Sequence, residues 1–315
     1  ADSGGFIHDL RSGSVTRLMV GVGGDGADDA SWAPDGSFLA VRNIMDLVLF
    51  RTDGSEIRRL RNVIHSGRGM LGTISPDGGQ LVFSDVPEES QVGSNIDLWT
   101  VDLVSGTKTR LTERNGIDSS AIWDRDGQSV LFISDRGGSS NLYRIGPDGA
   151  VDQLTEYANS QVIYPRLLGR DGVAYTLVSA VQEVMIGSPD RLDEARMVAR
   201  GRYPDISDDG TIIAYVSEDG RELRVIRPET GESTVRMEGE LSESYGFGDW
   251  LSPDGSTVAM FVFEGEATVL YTVPVEGGSP RRLYSADARK EIVPAWSPDS
   301  REIAFGDGTD RVVVP

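Results

Sequence analysis

The sequence predicts an all-β chain folded as one seven-bladed β-propeller of four-stranded antiparallel blades. Three observations predict it. A turn tetrad recurs seven times at nearly even spacing, a short run of β-branched and aromatic residues follows each copy, and seven units of 45 residues account for all 315. Repeats of this period, each too small to bury its own faces, stack into propellers or solenoids. A solenoid needs polar capping repeats at its ends, and none is evident.

The tetrads come first in each unit. They are Ala33-Pro34-Asp35-Gly36, Ser75-Pro76-Asp77-Gly78, Asp124-Arg125-Asp126-Gly127, Gly169-Arg170-Asp171-Gly172, Ser207-Asp208-Asp209-Gly210, Ser252-Pro253-Asp254-Gly255 and Ser297-Pro298-Asp299-Ser300. Their third-position aspartates are 42, 49, 45, 38, 45 and 45 residues apart. Pro presets φ, Asp caps nearby N–H groups and Gly accepts positive φ, so each tetrad is a hairpin turn. The runs that follow, such as Leu81-Val82-Phe83 and Val130-Leu131-Phe132, are too short for buried helices and read as strands. A third strand comes about a dozen residues later, as in Asp97-Leu98-Trp99-Thr100-Val101, then a Gly turn and a polar outer strand such as Thr109-Arg110-Leu111-Thr112. Helical periodicity shows only weakly, over Pro189 to Arg200, where the fourth unit loses its Gly turn.

The strand count indicates how the ring closes. The last unit ends before any fourth strand, while Val15-Thr16-Arg17-Leu18 is a fourth strand with no unit of its own. The N-terminal strand therefore joins the last blade, which removes a free edge. The expected blades span about 28–63, 70–114, 118–157, 161–199, 202–238, 244–285 and 291–315, the last closed by 5–20. Two segments compete for the third strand of blade seven, residues 6–10 and 311–315, and the residues leave that choice open.

Composition narrows the function. Apolar residues are 38%, charged residues 25%, and the net charge is −20, a field that repels phosphate backbones and argues against nucleic acid. Cysteine is absent, which excludes disulfides, thiolate nucleophiles and Cys-ligated metals. No run approaches the ~20 apolar residues that span a bilayer, so no membrane insertion of this segment is expected. The start, Ala1-Asp2-Ser3-Gly4-Gly5, has neither Met nor a signal-peptide pattern, so a processed product or excised segment is expected.

Trp296-Ser297-Pro298-Asp299 followed by Glu302-Ile303-Ala304-Phe305 resembles the WSPDG-x-x-IAF core of the TolB-like propellers, also called PD40 or WD40-like repeats. Trp32-Ala33-Pro34-Asp35-Gly36, Leu251-Ser252-Pro253-Asp254-Gly255 and the Thr109-Arg110-Leu111-Thr112 ending match the same pattern. The resemblance implies architecture more than activity. TolB itself has six blades behind an α/β domain, whereas seven units and no such domain are found here. Similar propellers gate prolyl-oligopeptidase-like peptidases or form extracytoplasmic sensor domains of larger bacterial proteins. The resemblance, with the missing cysteines and acidic balance, implies a periplasmic or extracellular location.

Ser242-Glu243-Ser244-Tyr245-Gly246 approximates G-x-S-x-G but lacks the first Gly and any strand–turn–helix setting. His8 and His65 are the two histidines, too few for the His cluster of the similar metal-dependent oligogalacturonate lyases. No P-loop, dinucleotide fingerprint or H-E-x-x-H occurs. No catalytic residue, metal ligand set or cofactor is therefore expected. Oxygen ligands for a structural Ca²⁺ are offered by Asp25–Asp29, Asp124–Asp126 and Asp205–Asp209, but turn capping explains the repeat aspartates more simply. What remains is a binding surface. The loops entering each innermost strand should border one mouth of the channel, and there Arg68, Asp118, Tyr164, Arg166, Tyr203, Tyr245 and Asp249 supply a recognition mix of aromatics and charges. The expected function is a non-catalytic sensor or binding propeller that takes a protein or peptide ligand at that mouth. The alternatives are the gating propeller of a prolyl-oligopeptidase-like serine peptidase without its hydrolase and, last, a metal-dependent carbohydrate-active propeller.

Overall fold

The computed structural model describes residues 5–18, 30–43, 45–65, 70–87, 95–114, 116–158, 160–168, 172–179, 182–241, 250–286 and 294–306. Among them every regular element is a β-strand, and the strands form seven four-stranded antiparallel sheets arranged as blades around an axis. From inner to outer strand, blade one is Ala30–Trp32, Leu39–Asn43, Asp46–Phe50 and Glu56–Leu60. Blade two is Met70–Ile74, Gln80–Asp85, Asp97–Asp102 and Lys108–Arg110, and blade three is Asp118–Trp123, Val130–Ser134, Asn141–Ile145 and Val151–Gln153. Blade four is Gln161–Leu168, Gly172–Val178, Gln182–Ser188 and Arg191–Arg200, and blade five is Arg202–Ile206, Ile213–Val216, Glu222–Arg227 and Glu232–Glu238. Blade six begins with Glu240–Leu241, earlier than the expected 244, and continues with Thr257–Glu264, Ala267–Pro274 and Arg281–Ala286.

Blade seven joins the two ends of the chain. Its inner strands are Ala295–Trp296 and Glu302–Gly306, its third strand is Gly5–Asp9 and its outer strand is Val15–Leu18. The N-terminus therefore supplies two strands, not the outer one alone. Phe6 lies opposite Phe305 and Ile7 opposite Ala304, a register that sends Phe6 and Ile7 into buried clusters on opposite faces. Segment 311–315, the rival for this position, lies outside the described residues.

Pro189 to Arg200 is not helical. Arg191–Arg200 pairs with Gln182–Ser188 across two register shifts. Ala, Arg, Glu and Leu favour a helix locally, but Leu192 and Ala199 bury their side chains only when the segment covers the blade edge.

The tetrads within the described residues are hairpin turns, as their composition predicts. Asp35 accepts from the Ser37 hydroxyl at 2.6 Å and the Ser37 amide at 2.9 Å, and Asp77 accepts from the Ser75 hydroxyl at 2.6 Å and the Gly79 amide at 3.0 Å. These bonds hold both carboxyls below their ordinary pKa. Asp126 and Asp209 are engaged in the same way within their own turns. Burial concentrates on the second and third strands, where Leu39, Leu81, Leu131, Val173, Ile213 and Val258 are all fully enclosed.

Candidate functional site

The seven inner segments enclose a cavity of about 500 Å³ on the axis. That volume is within the range of small-molecule and peptide pockets. Side chains from every blade line it, and it extends along the inner strands to a rim of hairpin turns.

Neighbouring inner strands are latched to one another. The Trp32 indole donates to the Ala295 carbonyl at 3.1 Å and the Trp296 indole to the Trp250 carbonyl at 2.9 Å, each reaching back to the preceding blade. The Thr73 hydroxyl accepts the Trp123 amide at 2.8 Å. Asp205 has the strongest latch: Oδ2 accepts the amides of Trp250 and Leu251, both at 2.7 Å, and Oδ1 accepts that of Ile206 at 2.9 Å. A buried carboxylate needs such donors, and here two of the three come from the next blade. Between blades two and three the strands approach so closely that a Cβ on Gly72 would collide with the Ala121 carbonyl and meet Val82 at 2.9 Å.

The inner strands of blades two to five share a bulge. Their register shifts between Leu71 and Ile74, Ser119 and Ile122, Ile163 and Arg166, and Arg202 and Asp205. In blades three to five a non-glycine residue takes positive φ there: Ser120 at 52°, Tyr164 at 54° and Tyr203 at 56°. Such backbone costs of order 1–3 kcal/mol and persists only where packing enforces it. In blades four and five the next residue is Pro165 or Pro204, which needs no ladder partner for an N–H. The residue after each bulge lines the cavity: Ile74, Ile122, Arg166 and Asp205.

The residues expected at the mouth have several fates. Tyr164 and Tyr203 meet, with ring centroids 4.8 Å apart, and Arg202 lies 5.2 Å over the Tyr203 ring. Tyr203 is buried in the core shared by blades five and six, and Tyr164 packs against that core. Arg166 lines the cavity. Asp118 is fully buried, accepts from Ser134 at 2.6 Å and pairs with Arg136 at 3.0 Å. Arg68, Tyr245 and Asp249 lie outside the described residues, as does Ser242–Gly246. His8 is buried in the third strand of blade seven, and burial lowers its pKa. Among the described residues no three His, Cys, Asp or Glu side chains gather as a metal site.

The rim of this cavity is formed by the inner hairpin turns, the opposite ends of the inner strands from the loops where the sequence places the site. Pro34, Pro76, Arg125, Asp208, Pro253 and Pro298 all belong to it. These occupy the second position of the tetrad, so departures from Pro at that position were the available signal. The Asp205 latch had none, because its partners are 45 and 46 residues away.

The architecture makes this a β-propeller closed by pairing its two chain ends. A model of the TolB β-propeller domain (PD40) matches residues 56–187. The Tol-Pal system protein TolB of Helicobacter pylori is 31% identical over 90 residues, 28% of this chain and 20% of that protein. TolB of Wolinella succinogenes is 35% identical over 95 residues, 29% of this chain and 21% of the relative. The match thus spans about a fifth of the curated relatives. Among solved structures, a putative TolB from Agrobacterium tumefaciens superposes with TM-score 0.57 at 17% identity, covering 100% of this chain and 99% of that one. An oligogalacturonate lyase in complex with manganese has TM-score 0.67 at 16% identity, covering 85% and 82%. A Mycobacterium tuberculosis puromycin-hydrolyzing peptidase has TM-score 0.55 at 14% identity and covers 89% of this chain but 50% of its own. At these identities the structural likeness concerns the fold. The chain is a seven-bladed β-propeller similar to the TolB β-propeller domain.

Proposed function

We propose that this propeller is a non-catalytic binding module, acting in the periplasm or outside the cell, that receives a peptide or protein segment in its axial channel. The carrying observation is the cavity of about 500 Å³ walled by all seven blades. Its lining combines the apolar faces of Trp32, Ile74, Trp123 and Trp296 with the charges of Arg166 and Asp205. Apolar area supplies affinity in such a site, and a few polar groups orient the ligand. The periplasmic part of the proposal rests on the TolB relatives, named for the Tol-Pal system.

The test blocks the cavity. Ser31 lines it from the inner strand of blade one, so Ser31→Trp fills space without removing a latch described above. Peptides selected from a displayed random library against the wild-type chain should bind Ser31→Trp at least tenfold more weakly, with unchanged thermal unfolding. Selected peptides that bind both chains equally would refute the channel as the site.

A further inference from the structure

The rim of the cavity has two chemically different arcs. Blades six, seven, one and two present Pro253, Pro298, Pro34 and Pro76. Blades three and five present Arg125 and Asp208 at the equivalent turn position. Deeper on the same side, Arg166 and Asp205 follow the bulges of blades four and five, where blades two and three have Ile74 and Ile122. A ligand in this channel therefore meets an apolar wall on one side and a polar wall on the other.

Two hydrogen-bond donors on the polar side await an acceptor. Arg125 is exposed at the rim, and its guanidinium makes no hydrogen bond or ion pair among the described residues; only its backbone amide is engaged, by Asp124 at 2.7 Å. The nearby Asp124 carboxylate faces Arg144 instead, at 3.4 Å. Trp123, two residues before Arg125, lines the cavity and is 9% exposed, yet its indole N–H is buried without an acceptor. The indoles of Trp32 and Trp296, which line the same cavity, are both satisfied by carbonyls of the preceding blade. A buried donor without a partner is costly and needs an explanation.

We infer that the channel reads a peptide carboxylate, which accepts from the Arg125 guanidinium and the Trp123 indole N–H, with the peptide's apolar side chains against the proline arc. Arginine suits this task because its planar fork makes charge-assisted bonds to a carboxylate. Asp205 does not compete for Arg125, since its oxygens take three backbone amides. The chain's net charge of −20 opposes an acidic ligand at long range, so recognition depends on short-range donors at this point. The inference rests on the channel-binding proposal and adds the ligand class to it. The carboxylate can come from a peptide C-terminus or from an Asp or Glu side chain.

Three hexapeptide libraries rich in Pro, Leu and Val and free of Trp separate these cases: one with a free C-terminal acid and no acidic residue, one amidated with a single Glu, and one amidated with Gln in its place. Binding is read by the emission of the tryptophans lining the channel. The wild-type chain should hold at least one acid-bearing library tenfold more tightly than the Gln library, and whichever library wins identifies the carboxylate's source. Arg125→Gln should erase that preference with unchanged thermal unfolding, Arg125→Lys should restore part of it, and Trp123→Phe should weaken it while keeping the ring. If the Gln library binds as tightly as the acids and Ser31→Trp blocks it, the carboxylate inference falls and channel binding stands. If no library binds, or Ser31→Trp blocks none, both fall. An equal loss of all three libraries in Arg125→Gln would show a structural role and overturn the inference.

Discussion

Blades six and seven are joined by aromatic rings, whereas blades two and three add a buried charge network to their apolar contact. At the first junction Phe305 contacts Phe6, Phe261 and Tyr284, with centroids 5.9, 5.7 and 5.0 Å away. At the second, Asp97 holds Arg110 and accepts the Arg114 amide at 3.4 Å, Arg114 bonds Asp135 at 2.6 Å, and Asp118 pairs with Arg136. Blade seven is assembled from the two ends of the chain, so no short covalent link helps its N-terminal pair of strands find its C-terminal pair. Non-directional apolar burial tolerates small offsets as Phe6 meets Phe305, whereas a hydrogen-bonded network needs fixed geometry.

Removing a ring at the closing junction should have the largest effect. Phe305 is buried at 4% exposure between three other rings. Phe305→Ala should cost about 4 kcal/mol through lost burial and an unfilled cavity. Urea unfolding checks it: the midpoint should fall sharply. A loss below about 1 kcal/mol would mean that the rings do not hold the closure.

Cutting the charge network should cost less. Asp118→Ala leaves Arg136 with the Ser134 hydroxyl at 2.9 Å but no carboxylate there, and breaking a buried pair costs about 3 kcal/mol. The guanidinium keeps a further refuge, since Arg136 also lies 5.0 Å over each of the Phe132 and Tyr143 rings. Asp118→Asn retains an acceptor for Ser134 and should cost about 1–2 kcal/mol. If Asp118→Ala proved as damaging as Phe305→Ala in the same urea experiment, the contrast between the junctions would be lost.

The same contrast shows what a sequence can disclose. Asp35 and Asp77 are readable as turn caps because their partners lie two residues away. Trp99, Phe132 and Phe305 are readable as strand residues because periodicity and turn chemistry are local. The Asp205 latch and the Asp118 network depend on partners brought close by the ring, so their carboxylates look like any others in the chain. Gly5–Asp9 and 311–315 carry equivalent strand patterns, and only pairing with Glu302–Gly306 distinguishes the first. Arg191–Arg200 was misleading because its helix formers are overridden by blade-edge pairing. The cavity itself follows from the blade count, but its polar side follows from the bulges of blades four and five, which place Arg166 and Asp205 on the channel wall.

Acidification should distinguish the junctions more gently. His8 sits in the closing strand opposite Ile303, and its pKa is lowered chiefly by burial, then by Arg281, with Asp9 opposing. The unfolded chain, with an ordinary value near 6.5, therefore takes up this proton before the folded chain does. The stabilising contribution is complete above that value and is lost as pH falls through it towards the lower folded value. Thermal unfolding of the wild type should decline more steeply between pH 7 and pH 5 than that of His8→Leu, which keeps the volume and removes the titration. Equal slopes would show that the closing strand does not sense pH.

The smallest effect concerns a polar bridge at the tips of blades six and seven. Ser300 occupies the tetrad position where Gly36, Gly78, Gly127, Gly210 and Gly255 all have positive φ, and it adopts φ 59° itself. In return its hydroxyl accepts the Asp254 amide from the neighbouring blade at 3.0 Å. Ser300→Ala keeps the strained backbone and loses the bond, so it should cost about 1 kcal/mol. Ser300→Gly loses the same bond but relieves the backbone, so it should lie within about 0.5 kcal/mol of wild type. Ser300→Gly more damaging than Ser300→Ala would mean that the serine earns its place by something other than this bridge.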